Sequence, residues 1–256
     1  MTRSVKAKKT ATGSDANPSL PRRVTLSSQL YQILERKVLD GELAPGTPIS
    51  EDSIAESYGV SRTPAREALG ELERLGLAVR TGMRDRMITI PSLSMISEKF
   101  ELWWILDVGR TYLASLAATE ADIQELRRFI ERMRSAVQRG EPKRYQATCE
   151  KFHLRIRSRC PNSYVNQMAG ECDVYLHWFE LLYDRNPEFS MDVVEEHIRI
   201  LSAFERKDLA ELSESIRNHI QRQRNRIVGH FQIETKSLSD APTGPSFNLV
   251  SSRRNL

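Results

Sequence analysis

At 256 residues the chain is long enough for two modest domains, and its ordinary proline and glycine content gives no sign of a low-complexity architecture. A formal charge of +4 with a pI near 9.0 is a mild basic bias, too weak by itself to argue for nucleic acid. No apolar run approaches the ~20 residues of a membrane span, no signal-peptide core is read, and three cysteines do not make a disulfide framework, so a cytoplasmic protein is expected.

Residues 1–23 carry Lys6, Lys8, Lys9, Arg22 and Arg23 among Ser, Thr and Pro and read as a disordered basic arm. A first domain over 24–92 begins with Leu26, Leu30, Leu34 and Val38 at helical spacing, closed by Asp40-Gly41. Ala44-Pro45-Gly46 is a turn and Ile49 begins a short strand. Ser50 caps a second helix, with Glu51 and Asp52 opposing the helix dipole in its first turn. Gly59 suits the left-handed residue that closes that helix, and Ser61 is placed to cap the next one. Pro64 falls in the first turn, where its missing N–H costs little. Arg62 and Arg66, four apart, share one face, while Ala65, Ala68, Leu69 and Leu72 line the other. A short helix with a packed back and an arginine-bearing front suits a major groove; read alone, the pair also fits an ordinary solvated surface. Leu75-Gly76-Leu77 ends the helix, and 77–81 and 86–90 form two strands around Gly82-Met83-Arg84-Asp85. Three helices and a hairpin make a winged helix-turn-helix, with Arg80, Arg84 and Arg86 on the wing to meet phosphates or a minor groove.

From 93 to 235 the strand signal gives way to helical periodicity, and an all-α bundle of about six helices is expected, followed by a disordered tail over 236–256. The segment Ile96 to Ala118 is apolar on so many faces that deep burial is expected. Val165, Met168, Cys172, Tyr175, Phe179 and Leu182 form a packing seam. His153, His197 and His219 sit on the inner stripes of three helices. One such histidine is ordinarily a core residue with a single hydrogen bond, whereas three together form the imidazole cluster that a divalent metal gathers.

Residues 24–90 resemble the DNA-binding domain of the GntR family of bacterial transcription regulators. The match is carried by Gly41…Pro45-Gly46, Ile54-Ala55-Glu56, the run Gly59-Val60-Ser61-Arg62-Thr63-Pro64-Ala65-Arg66-Glu67-Ala68-Leu69, and Leu72…Leu75-Gly76-Leu77. The wing departs from the family, with Arg84-Asp85-Arg86-Met87-Ile88 where a Gly, an aromatic and Val are usual. The resemblance implies that Ser61 and Thr63 steady phosphates, that Arg62 and Arg66 read guanine edges or pin the backbone, and that Glu51, Arg80, Arg84 and Arg86 complete the DNA-binding surface. The implied partner is a short palindromic double-stranded operator bound by a homodimer.

The second domain resembles the FCD effector-binding domain of the FadR-type subfamily through Phe152-His153…Asn162, Glu196-His197-Ile198-Arg199-Ile200-Leu201-Ser202-Ala203…Asp208, and His219. In that family an aspartate and three histidines hold a metal, often zinc or nickel. Here the aspartate position is Cys149, on the same helix face as His153, and a Cys149, His153, His197, His219 set suits zinc. Glu150 can also stand in, or Cys149 can be a buried hydrophobe with no metal bound. The resemblance places the small-molecule effector near Trp103, Asp107, Arg110 and Asn162. Trp103 replaces an arginine that would fork onto a carboxylate, so an apolar or aromatic effector is expected unless Arg110 restores anion binding or Trp103 is plain core. A metabolite-responsive regulator, a repressor by resemblance, is the leading reading. A small zinc enzyme built on the histidines and an architectural DNA binder with a solid bundle are the alternatives.

Overall fold

The computed structural model describes residues 25–183 and 188–239, with the backbone alone for 234–239. The expected arm over 1–23 lies outside the described residues. So does the expected tail from 240 onward, whereas 236–239 continue a helix. The chain is mainly α-helical, with an N-terminal winged helix-turn-helix and a helical bundle after it.

The first unit runs α1 (Leu26–Leu39), β1 (Pro48–Ser50), α2 (Glu51–Tyr58), α3 (Arg62–Leu75), β2 (Ala78–Arg80) and β3 (Asp85–Ile88). Ser50 and Ser53 form a reciprocal capping box that satisfies the free N–H groups at the start of α2. Gly59 closes α2 at φ 62°, a conformation that costs a glycine little, and the Val60 N–H returns to the Ala55 carbonyl. Ser61 is the N-cap residue of α3, but its side chain makes no capping bond, contrary to expectation. Pro64, preset for helical φ, sits in the first turn instead. Behind the helix Ala65, Ala68, Leu69 and Leu72 are fully buried. The sheet has the order β1-β3-β2, all antiparallel, and Arg86 of β3 lies opposite both Ile49 and Arg80.

The bundle comprises α4 (Leu93–Ala117), α5 (Glu120–Arg139), α6 (Pro142–Arg157), α7 (Ser163–Tyr183), α8 (Met191–Arg206) and α9 (Leu209–Ser239). Among the described residues this matches the expected six helices. The expected depth of α4 is corrected: Ile96, Phe100 and Trp103 are buried, but Leu102, Ile105 and Leu116 are 43%, 55% and 49% exposed. Its inner face takes up charge as well, since Asp107 and Arg110 are buried as an ion pair. On α7 the seam holds at Cys172, Tyr175 and Phe179, while Met168 is exposed and Ala169 takes the inward position one residue later.

The two units touch through α7. Arg74 in the last turn of α3 bonds Glu171 of α7 at 3.0 Å, and α1 packs on α7, with Leu181 beside Gly41. Gly76 closes α3 at φ 76°, and the Tyr175 hydroxyl lies 2.7 Å from where a Cβ on this glycine would sit. Any side chain there would meet both an unfavourable backbone and a clash.

Candidate functional site

The front of α3 is open. Ser61, Arg62, Thr63 and Arg66 are all exposed. Arg62 pairs with Asp52 at 2.5 Å, and Arg84 on the hairpin approaches the same carboxylate at 4.0 Å. Both pairs are solvent-facing and therefore weak, so a phosphate can displace the aspartate. Arg66 makes no ion pair among the described residues, which leaves its guanidinium free for a ligand. The uncapped Ser61 hydroxyl is likewise available.

Two residues expected on this surface are turned inward. Arg86 is 2% exposed and sits between Glu73 of α3 at 3.0 Å and Glu51 of α2, itself buried, at 3.4 Å. Neither Arg86 nor Glu51 reaches DNA in this arrangement. The cause is strand alternation: Arg86 and Ile88 point to the same face of β3, and that face is the core. The buried guanidinium ties the start of α2 and the end of α3 to the wing. Arg80 is exposed but forks onto Glu73 at 3.0 and 3.1 Å, and together the two arginines hold the Glu73 carboxyl below the usual range against the opposing effect of burial.

In the bundle, Cys149 and His153 on α6 meet His197 on α8. His197 Nε2 lies 3.2 Å from Cys149 Sγ and 3.1 Å from His153 Nε2, and ligand atoms of the three lie within 4.8 Å of one another. His197 Nδ1 contacts the Val193 carbonyl at 2.7 Å. A carbonyl oxygen only accepts, so Nδ1 carries the hydrogen and Nε2 presents a lone pair to the other two groups. Burial drives the His197 pKa down to about 3 and pushes the Cys149 thiol up to about 12. His153 is also held well below its ordinary value, by burial and by its two histidine neighbours. His219 on α9 stands at the edge of this set: its ring centroid is 4.7 Å from His197 and 5.6 Å from His153, with Nδ1 held by Glu196 at 2.9 Å. The Glu196 carboxyl is itself stabilised as an anion, His219 and Arg222 outweighing its burial.

The donor set fits zinc. Bonds of about 2.3 Å to sulfur and 2.0–2.1 Å to nitrogen, tetrahedrally arranged, separate two nitrogens by roughly 3.3 Å and nitrogen from sulfur by roughly 3.6 Å. The two spacings to His197 Nε2 are a few tenths of an ångström shorter, within reach of small side-chain movements. Two of the imidazoles already have Nδ1 oriented by an outer partner, Val193 or Glu196.

The cluster opens into a cavity of about 670 Å³ whose wall includes Tyr145, Cys149, His153, Asp173, Glu196 and Arg222. That lies within the range of small-molecule sites, roughly 300–1,000 Å³, and it sets aside the solid bundle required of an architectural binder. On the α4 side a separate chamber of about 20 Å³, lined by Asp107, Thr111 and His219, has room for about one water. Trp103 lines both spaces.

Of the four expected effector contacts, Trp103 lines the large cavity, Asp107 lines the small chamber alone, and Arg110 and Asn162 line neither. Arg110 is absent from the cavity wall: it is 2% exposed and its guanidinium is taken by Asp107 at 2.6 Å and by Asp173 at 2.9 and 3.1 Å. Those carboxylates raise its pKa despite burial. Asn162 is exposed, and its side-chain oxygen accepts from the backbone N–H groups of Tyr164 and Val165, so it caps α7. The residues that sequence reasoning missed are Asp173 and Arg157, paired at 3.2 Å on the cavity wall. Arg157 was open to detection, four residues after His153 on the same helix face. Asp173 carried no such signal.

A winged helix-turn-helix joined to a helical domain with a ligand-sized cavity defines a DNA-binding transcription regulator with an effector domain. Residues 26–84 match the family described as bacterial regulatory proteins, gntR family, and residues 100–222 match the FCD domain. The chain belongs to the GntR family and carries an FCD effector-binding domain. Among its relatives, the HTH-type transcriptional repressor RspR of Escherichia coli is 24% identical over 217 residues, covering 80% of this chain and 88% of that protein. A probable D-xylose utilization operon transcriptional repressor of Paenarthrobacter nicotinovorans is 26% identical over 211 residues, covering 80% and 89%. The solved structure of E. coli McbR/YncC shares the fold with a TM-score of 0.62 at 21% identity, covering 82% of this chain and all of that one. Among the described residues no helix is long and apolar enough to cross a membrane.

Proposed function

We propose that this protein is a cytoplasmic, homodimeric repressor that binds a short palindromic operator and changes its affinity when a small molecule enters the FCD cavity. The observation that carries the DNA half is the exposed front of α3, where Arg66 has no acidic partner among the described residues. Arg62 and Arg66 read guanine edges or pin the backbone, Ser61 and Thr63 contact phosphates, and Arg84 on the wing, with Arg80 beside it, supplies the flanking contact. Arg66→Ala is expected to weaken binding to an operator selected from random duplexes by about 1–3 kcal/mol, if the contact is a bidentate one to a base. Unchanged affinity in an electrophoretic or anisotropy titration removes Arg66 from the interface.

Dimerisation is supported by the open face of α4, where Leu102, Ile105, Gly109, Tyr112 and Leu116 recur three and four apart, the spacing of a helix-pairing seam. Sedimentation of the full chain as a single 29.4 kDa species at micromolar concentration would remove this part of the reading.

Zinc held by Cys149, His153 and His197, with His219 as a fourth donor, anchors the cavity, and nickel is the second metal to test. When bound, a metal with these four donors has its tetrahedral shell filled, so it orders the cavity wall and leaves little room for an effector to bind it directly. The effector itself is neutral and largely apolar or aromatic. Each guanidinium on the cavity wall is already matched to a carboxylate, Arg157 to Asp173, Arg222 to Glu188 and Glu196, and Arg226 to Glu188. Trp103 offers an indole where a carboxylate-binding arginine would otherwise stand. Tight calorimetric binding of gluconate or lactate, undisturbed by Trp103→Ala, would overturn that choice of ligand.

A further inference from the structure

Helix α7 meets the recognition helix on one face and the cavity on the other. Glu171 and Tyr175, four apart, face the DNA-binding unit: Glu171 accepts from Arg74 at 3.0 Å, and the Tyr175 hydroxyl lies against Gly76, the residue that closes α3. Lys99 of α4 lies 3.9 Å over the Tyr175 ring and fixes it there. Asp173, Leu176, His177 and Glu180, again three and four apart, line the cavity. Glu171 and Asp173 are two positions apart, which on an α-helix places them about 200° around the axis. Asp173 is where the cavity grips α7, since its carboxylate accepts from Arg110 of α4 and from Arg157 of α6, one turn beyond His153.

We propose that Glu171 and Tyr175 are positioning residues for DNA binding, and that occupancy of the cavity reaches α3 through Asp173 and the body of α7. The proposal rests on reading the cavity as the effector site. It needs no long chain of contacts, because one rigid helix carries both faces. A ligand that crowds the Asp173–Arg157 pair changes how tightly α4 and α6 hold α7. The recognition helix, pinned at its C-terminal end, turns with α7 and alters the distance between the two half-site readers of a dimer.

The test compares four full-length proteins, wild type, Asp173→Asn, Glu171→Gln and the double variant, for binding to one duplex selected from a random pool. Asp173→Asn is expected to weaken binding about fivefold or more, the low end of ordinary coupling between sites. Glu171→Gln is expected to weaken it as well, and the double variant to bind no worse than the weaker single one, because both substitutions cut the same connection. Losses that simply multiply, or an Asp173→Asn protein indistinguishable from wild type, overturn the proposal. If Asp173→Asn lowers the melting temperature sharply, a second measurement decides. Zinc is titrated into wild type and Glu171→Gln while calorimetry records binding and amide hydrogen exchange is followed across 62–76. A zinc-dependent change in that segment in wild type that shrinks in Glu171→Gln supports the proposal. Bound zinc with no change in either protein overturns it and leaves the metal reading intact. Failure of zinc to bind removes the metal reading, and the same comparison is then made with the cavity variant Leu176→Ala in place of zinc, where an unchanged segment overturns the proposal.

Discussion

Arg86→Ala is expected to destabilise the winged domain by about 3–5 kcal/mol, the cost of leaving a buried charge without its partner. The guanidinium is 2% exposed and is the cation at 3.4 Å from Glu51, itself 6% exposed. Glu73 suffers less, because Arg80 still bonds it from the solvent side. Calorimetric melting of the winged domain should show a fall of roughly 12–40 °C, with operator binding lost in parallel as the wing comes away from α2 and α3. Glu51→Ala added to Arg86→Ala removes the orphaned carboxylate, so the double variant should recover part of the lost stability. A melting temperature unaffected by Arg86→Ala would mean that the inward-facing arginine does not hold the wing.

The second large effect concerns the metal. Purified full-length protein dialysed against zinc should carry close to one ion per chain by plasma mass spectrometry. Cys149→Ala should lower zinc affinity about a hundredfold or more, at or beyond the loss caused by removing an outer-shell partner. The pH dependence follows from the protonation states. Burial holds the Cys149 thiol protonated up to about 12 and keeps His197 neutral down to about 3. At neutral pH His153 and His197 therefore have no proton to lose, and zinc binding expels one from the Cys149 sulfur. Affinity should rise about tenfold per pH unit between roughly pH 6 and 8, and the slope should vanish in Cys149→Ala. Negligible metal in both proteins would leave the three histidines as a polar lining of the cavity.

The elements were legible because their punctuation is local. Gly59, Gly76 and Gly140 close helices in the left-handed conformation, and Ser50 caps α2, each a matter of a few neighbouring residues. The histidines were legible from their stripes, and the structure brings His153 and His197 together with Cys149. Which charges pair was not legible, because partner choice belongs to tertiary packing. Asp173 finds Arg110 from 63 residues away, and no spacing rule announces it. Some misplacements had a usable signal. Arg86 shares strand parity with Ile88 and should have been read as inward. Asn162, two residues before Tyr164 at a helix start, carried the signature of a cap rather than of a ligand contact. Asp107 and Arg110 are three apart, close enough on one helix to satisfy each other before any ligand arrives.

Gly76 sets a limit on modularity. Regulators of this architecture invite the exchange of reading heads between sensory domains, to build sensors that answer a chosen compound at a chosen promoter. Here the head is seated on its neighbour with no room for a methyl group, since the Tyr175 hydroxyl occupies the space where one would lie. A grafted head with alanine or serine at that position would rest on the tyrosine and tilt. The same head paired with phenylalanine in place of Tyr175 would lose the clash but keep the strain of a side chain on a left-handed backbone. Compatibility between donor and acceptor is thus written into one residue from each side of the junction, and a chimera is best chosen by matching that pair first.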